Sequence, residues 1–137
     1  MKTKIFIVIT LLFLTGCAST NQKLFDSDNS QVQLRSIQTR VFDTTDKEKT
    51  MRSTIDTLQD LGFLVDKADY DLGTITATKL KGYTLRMTVT IRERNEKQIS
   101  VRSNLQYKIH PITDPGPYQE FFISLEKSMF LTAHQVD

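Results

Sequence analysis

Few residues in this 137-residue chain have the type and spacing to do chemistry. His110 precedes a proline and His134 lies near the C-terminus; neither has a cysteine or an acid at metal-ligand spacing. Asp66, Asp69 and Asp71 hint at calcium, but the loop pattern fails. Counted from Asp69, Thr74 stands where the tight-turn glycine belongs and Leu80 where the bidentate glutamate belongs. A solvated turn is the expectation. There is no Gly-x-Ser-x-Gly elbow, and the five glycines form no phosphate-binding loop. No catalytic residue, metal or cofactor is therefore expected, and the chain reads as a non-enzyme.

Two features remain. The first is the even-numbered face of two expected strands, Tyr83–Arg92 and Gln98–Ile109, which carries a basic row, Arg86, Arg92, Arg102 and Lys108, among Thr, Ser, Asn and Gln and no acid. Arginine among short hydroxyls can hold an anionic partner: an acidic protein surface, a lipid headgroup or a glycan phosphate. An ordinary solvated sheet face that resists aggregation through its charge is the simpler account. The row lacks interleaved aromatic residues, so nucleic acid is not an expected partner.

The second feature is Cys17, the single cysteine, which excludes a disulfide within the chain. Lys2 and Lys4 precede a run from Ile5 to Leu14 that is apolar except for Thr10. Ten helical residues rise about 15 Å, half of a ~30 Å hydrocarbon core, so the run is too short to span. A basic head, an apolar middle and a small-residue end are the order of an export signal.

Leu14-Thr15-Gly16-Cys17 resembles the lipobox of bacterial lipoproteins. The resemblance implies cleavage between Gly16 and Cys17 and lipid attachment at Cys17, which anchors the chain to a membrane without spanning it. Residues 1–16 are then a signal peptide. Its loss takes Lys2 and Lys4, leaving 16 basic against 16 acidic residues, so the basic balance of the whole chain belongs to the signal. Ala18, rather than aspartate, follows the cysteine. By analogy with Gram-negative lipoproteins this points to the outer membrane, facing the periplasm; in a Gram-positive cell the address is the outer leaflet of the cytoplasmic membrane.

Residues 17–31 are the lipidated cysteine and a polar tether, with Leu24 and Phe25 its large apolar side chains. Such a segment buries too little to offset its ordering entropy. Residues 32–137 are enough for one domain with a modest core.

Val32 to Phe42 is rich in β-branched residues and is expected as a strand. A helix from Thr45 to Leu61 follows, with Thr45 and Glu48 as a capping box. Met51, Ile55, Leu58 and Leu61 make its apolar stripe, and Gly62 stands at the left-handed stop. Short strands are expected at Phe63–Asp69 and Gly73–Lys81. Tyr83–Arg92 and Gln98–Ile109 alternate strictly, apolar at odd numbers and polar at even ones, with Ser103 the odd polar exception. Period two means one face on the core and one in water, hence an antiparallel sheet. The shared parity requires paired numbers to sum to an even value, so the loop around Asn95 holds three or five residues, one of them left-handed. Pro117 to His134 is expected as the last helix, capped by Asp114. Tyr118, Phe121, Phe122, Leu125 and Met129 form its inner face, and Ile123, Phe130 and Leu131 are apolar surface beyond it.

The expected architecture is α+β, β-α-β-β-β-β-α: an antiparallel sheet of about five strands with two helices on one face. The capped helix, Leu61-Gly62-Phe63-Leu64-Val65, the acidic stretch and Leu72-Gly73-Thr74-Ile75 resemble the helix-grip domain of the lipoprotein C subunit of the outer-membrane β-barrel assembly machinery. The chain also resembles small Gram-negative lipoproteins of unknown function with the same LQDLGF helix end. These resemblances imply an envelope address and a protein partner there. Two functions follow. One is an accessory or scaffold subunit of an envelope assembly. The other is a module that holds a small apolar or lipidic molecule between sheet and helices. The second needs a cavity of several hundred Å³, roughly the lower range of ligand sites. The first expects solid packing there, for which Phe121, Phe122 and Phe130 are large enough, and that favours the scaffold.

Overall fold

A computed structural model describes residues 30–130 and the backbone of residues 133–135. The expected signal peptide, Gly16, Cys17 and the tether as far as residue 29 lie outside the described residues. The chain divides into Met1–Val32 and Gln33–Asp137, and the fold below is that of the second unit. Residues 30–38 are helical (α1). Then come β1 (Thr39–Phe42), α2 (Lys47–Asp60), β2 (Leu64–Asp69), β3 (Thr74–Leu80), β4 (Thr84–Asn95), β5 (Gln98–Tyr107), β6 (His110–Pro111), α3 (Gly116–Met129) and β7 (Ala133–Gln135). The strands form one antiparallel sheet in the order β2-β3-β4-β5-β1-β7, with β6 on the far end of β5. The α+β class and the antiparallel sheet stand as expected.

The centre of the sheet is the β4–β5 hairpin. Leu85 pairs with Tyr107 and Glu93 with Ile99, so each pair sums to an even number, as the shared parity requires. Met87, Val89, Ile91, Ile99, Val101 and Leu105 are all buried on the resulting inner face. The tip differs from expectation. The register shifts between Glu93 and Asn95, and Asn95 pairs with Gln98. A two-residue tip alone would turn one apolar row into water; the bulge restores the phase. No residue of the tip is left-handed. Instead Asn95 Oδ1 accepts from Lys97 N–H at 2.9 Å, a side-chain substitute for the special backbone.

α2 is capped one residue later than the sequence suggests. Asp46, not Thr45, accepts from Lys49 N–H at 2.8 Å. Glu48 does not reach back; it pairs with Arg52 one turn on. Asp serves as well as Thr at this position. The C-terminus is as expected: Gly62 has φ +82°, Gly62 N–H donates to Gln59 O and Phe63 N–H to Leu58 O. The buried face of α2 is broader than the aliphatic stripe. It includes Thr50, Ser53, Thr54 and Thr57 beside Met51 and Leu58. Thr50 and Thr54 donate their hydroxyls to the carbonyls of Asp46 and Thr50, which makes them tolerable inside.

Two expected elements are corrected. The strand expected over Val32–Phe42 is strand only from Thr39; residues 30–38, including the last two of the expected tether, are helical. Arg40 accounts for the switch. Its Nη1 donates to Ser36 O at 3.0 Å and to Thr39 O at 2.8 Å, satisfying carbonyls at the helix end. The guanidinium also lies 5.0 Å from the centre of the Phe122 ring. Burial holds its pKa below the ordinary arginine value, opposed by the nearby charge of Glu126. The second correction is at α3, which stops at Met129 rather than His134. Phe130 ends it in the left-handed conformation, φ 55°, and the backbone of residues 133–135 pairs with β1 as β7. Its N-terminal cap residue is Pro115, and Asp114 Oδ1 accepts from Gly116 N–H just outside the first turn.

α2 and α3 pack on each other and on the same face of the sheet. Phe42, Phe121, Phe122 and Tyr118 are fully enclosed with the inner sheet residues in one core. Each such side chain contributes about 1.5–3 kcal/mol through its removal from water. Among the described residues no helix is long and apolar enough to cross a membrane.

Candidate functional site: an apolar groove at the open end of the sheet

The core face of β4 and β5 continues past the helices. Leu85, Met87, Leu105 and Tyr107 run on toward the end where α2 finishes and α3 begins. A cavity of about 500 Å³ lies there. Leu61 and Phe63 form the α2 side of its wall, and Ile112 and Pro117 the α3 side. Tyr83 and Tyr107 stand at the mouth, edge to face with centroids 5.8 Å apart, both exposed. The lining is mainly apolar with a charged fringe of Lys79, Asp114 and Glu120.

Two polar arrangements tie together the elements around this groove. Lys79 pairs with Leu85 in the sheet and therefore points inward. Its Nζ donates to Leu61 O at 2.6 Å and lies 5.4 Å from the Phe63 ring centre. The last turn of α2 has no basic residue of its own, so a strand supplies the cation that the helix dipole favours. On the other wall, the fully buried Tyr118 hydroxyl donates to Ile112 O at 2.6 Å. It accepts from Leu105 N–H and from Gln38 Nε2, each at 3.3 Å. β5 leaves a gap between its β1 and β6 partners, and this hydroxyl fills it. The 112–117 loop is thereby fixed to β5.

The expected filling of this space does not occur. Phe121 and Phe122 are inside the core, but neither lines the groove, and Phe130 is 92% exposed. The left-handed stop at Phe130 turns that side chain away from the helix's inner face.

The basic row is divided by the structure. Arg86, Arg92 and Arg102 are exposed on the outer face of the sheet, opposite the helices. Arg92 and Arg102 line one concavity; Arg86, opposite Gln106, stands further along the strands. Lys108 leaves the row. It has φ 56° in the turn before β6, with its ammonium 5.4 Å from the Tyr107 ring centre. The acidic trio has structural duties. Asp66 accepts from Thr78 Oγ1, Asp69 from Leu72 N–H, and Asp71 O from Lys47 Nζ.

Sequence reasoning missed Lys79 and the hydrogen bonds of the Tyr118 hydroxyl, and it leaned against the cavity that it raised as an alternative. An odd-numbered lysine in an alternating strand was the available signal for the first. Comparison with protein families finds no model that matches this chain, and no curated protein matches it either.

Proposed function

We propose that this chain is a non-enzymatic lipoprotein of the bacterial envelope, anchored through Cys17 at the outer membrane. Its periplasmic domain binds a small apolar or lipidic molecule in the groove between sheet and helices. The observation that carries this reading is the cavity itself, about 500 Å³ and largely apolar, where an accessory subunit would be packed solid. Ligand sites occupy roughly 300–1,000 Å³ and pair an apolar lining with a few placed polar groups. Two carboxylates against one ammonium at the fringe favour a ligand whose head is neutral or cationic.

The lipobox-like Leu14-Thr15-Gly16-Cys17 supports the address. A role in an envelope assembly is the second reading, favoured by Ile123 on α3 and Phe130 just past its end, both exposed. The two readings part on extraction. The chain, released from membranes in mild neutral detergent and examined by native mass spectrometry, carries one small apolar molecule that Leu85→Trp removes. Recovery of an empty chain in stoichiometric complex with another protein supports the second reading instead.

A further inference from the structure

The outer face of the sheet carries a site unrelated to the groove. Thr39, Thr90, Arg92, Ser100 and Arg102 line a concavity of about 290 Å³. The register builds it. Thr90 and Thr39 flank Arg102 on its two neighbouring strands, and Ser100 lies opposite Arg92. Arg92 and Arg102 are therefore diagonal neighbours, about 7–8 Å apart at the backbone, close enough for both guanidiniums to reach one small ligand. None of the five lining residues is acidic. Among the described residues neither arginine has a carboxylate partner. Arg102 is steadied by Gln38, whose buried Oε1 lies 3.4 Å from its Nη2.

We propose that this concavity binds a phosphate group. Two planar guanidiniums offer forked donors that match phosphate oxygens, and the three hydroxyls add short, rotatable donors around them. One anion between the two cations gains attraction from both. The ligand chemistry is the same in free inorganic phosphate and in a phospholipid headgroup.

The test uses the full chain in neutral detergent micelles, at ionic strength held constant with sodium chloride. Side-chain and amide NMR signals of Arg92, Arg102, Thr90 and Ser100 are followed in two titrations. One adds inorganic phosphate; the other adds dihexanoylphosphatidylglycerol. A saturable shift in either arm is expected, and the responding arm identifies the source. Arg92→Gln and Arg102→Gln weaken it by about tenfold or more, whereas Arg86→Gln, on the same face but outside the concavity, leaves it unchanged. Arg92→Gln alone suffices as evidence, since among the described residues the Arg92 side chain makes no hydrogen bond that its loss could disturb. Absence of a saturable shift in both arms overturns the proposal. So does an equal loss with Arg86→Gln, which would mean diffuse charge attraction.

Discussion

The Lys79 ammonium and the Leu61 carbonyl meet at 2.6 Å at the edge of the groove, joining the third strand to the end of the second helix. The contact has two consequences. It satisfies a carbonyl at the α2 C-terminus, and it sets the ammonium 5.4 Å from the Phe63 ring centre on the groove wall. Lys79→Met keeps the aliphatic stem and removes the charge. The expected loss is about 0.3–1 kcal/mol, read as a lower urea midpoint with unchanged slope. An unchanged midpoint would mean that the contact contributes nothing to the fold.

Tyr118→Phe removes one oxygen and leaves two buried groups, Leu105 N–H and the Gln38 amide, and the part-buried Ile112 O short of a partner. Leaving buried polar groups unpaired costs about 1–3 kcal/mol. Chemical denaturation measures the total. Hydrogen exchange at the Leu105 amide gives the local reading, and exchange there should accelerate more than at Val89 in the centre of the sheet.

Gly73 and Gly82 both have positive φ, yet their replacement by alanine should differ. At Gly73 (φ +65°) an added Cβ falls 2.2 Å from Ile91 O, whose own N–H donates to Gly73 O at 2.7 Å. At Gly82 (φ +71°) the space is empty. Gly82→Ala bears only the left-handed penalty of about 1–2 kcal/mol, and Gly73→Ala adds a backbone collision to it. Thermal unfolding of the two variants should place Gly73→Ala clearly lower; equal values would mean that the β3–β4 edge is softer than the structure indicates.

Cys17→Ser tests the anchor. The expected outcome is release of the domain from the membrane fraction, or accumulation of the uncleaved chain. Unaltered cleavage and membrane retention of the variant would exclude lipid attachment at this position.

The parts of the fold that were legible in the sequence are those in which a local pattern and a tertiary need agree. The odd-even alternation of β4 and β5 fixed both the buried row and the even-sum register, and Gly62 marked the end of α2 by a conformation other residues avoid. The illegible parts depend on distant partners. The partial alternation over Val32–Phe42 suggested a strand from Val32, but the helix end is satisfied by Arg40, held under Phe122 from another element. Phe130 takes a left-handed stop with no glycine to announce it. The cavity between sheet and helices was open as an alternative in the sequence, but apolar residue counts do not encode which side chains fill that space, and the expected filling by Phe121, Phe122 and Phe130 pointed the other way. Of the basic row, parity correctly placed Arg86, Arg92 and Arg102 on the outer face. The turn at Lys108 broke the alternation and removed the fourth member.

The central claim is that the groove receives an apolar ligand. Its most direct measurement is a titration of the unlipidated Cys17→Ser chain with the neutral fluorescent probe N-phenylnaphthylamine. That chain keeps the whole hydrophobic core, which lies between Phe42 and Met129. One saturable site per chain is predicted, abolished by Leu85→Trp and unaffected by Arg92→Gln. A linear, non-saturating signal, or an isotherm that Leu85→Trp leaves unchanged, would contradict it.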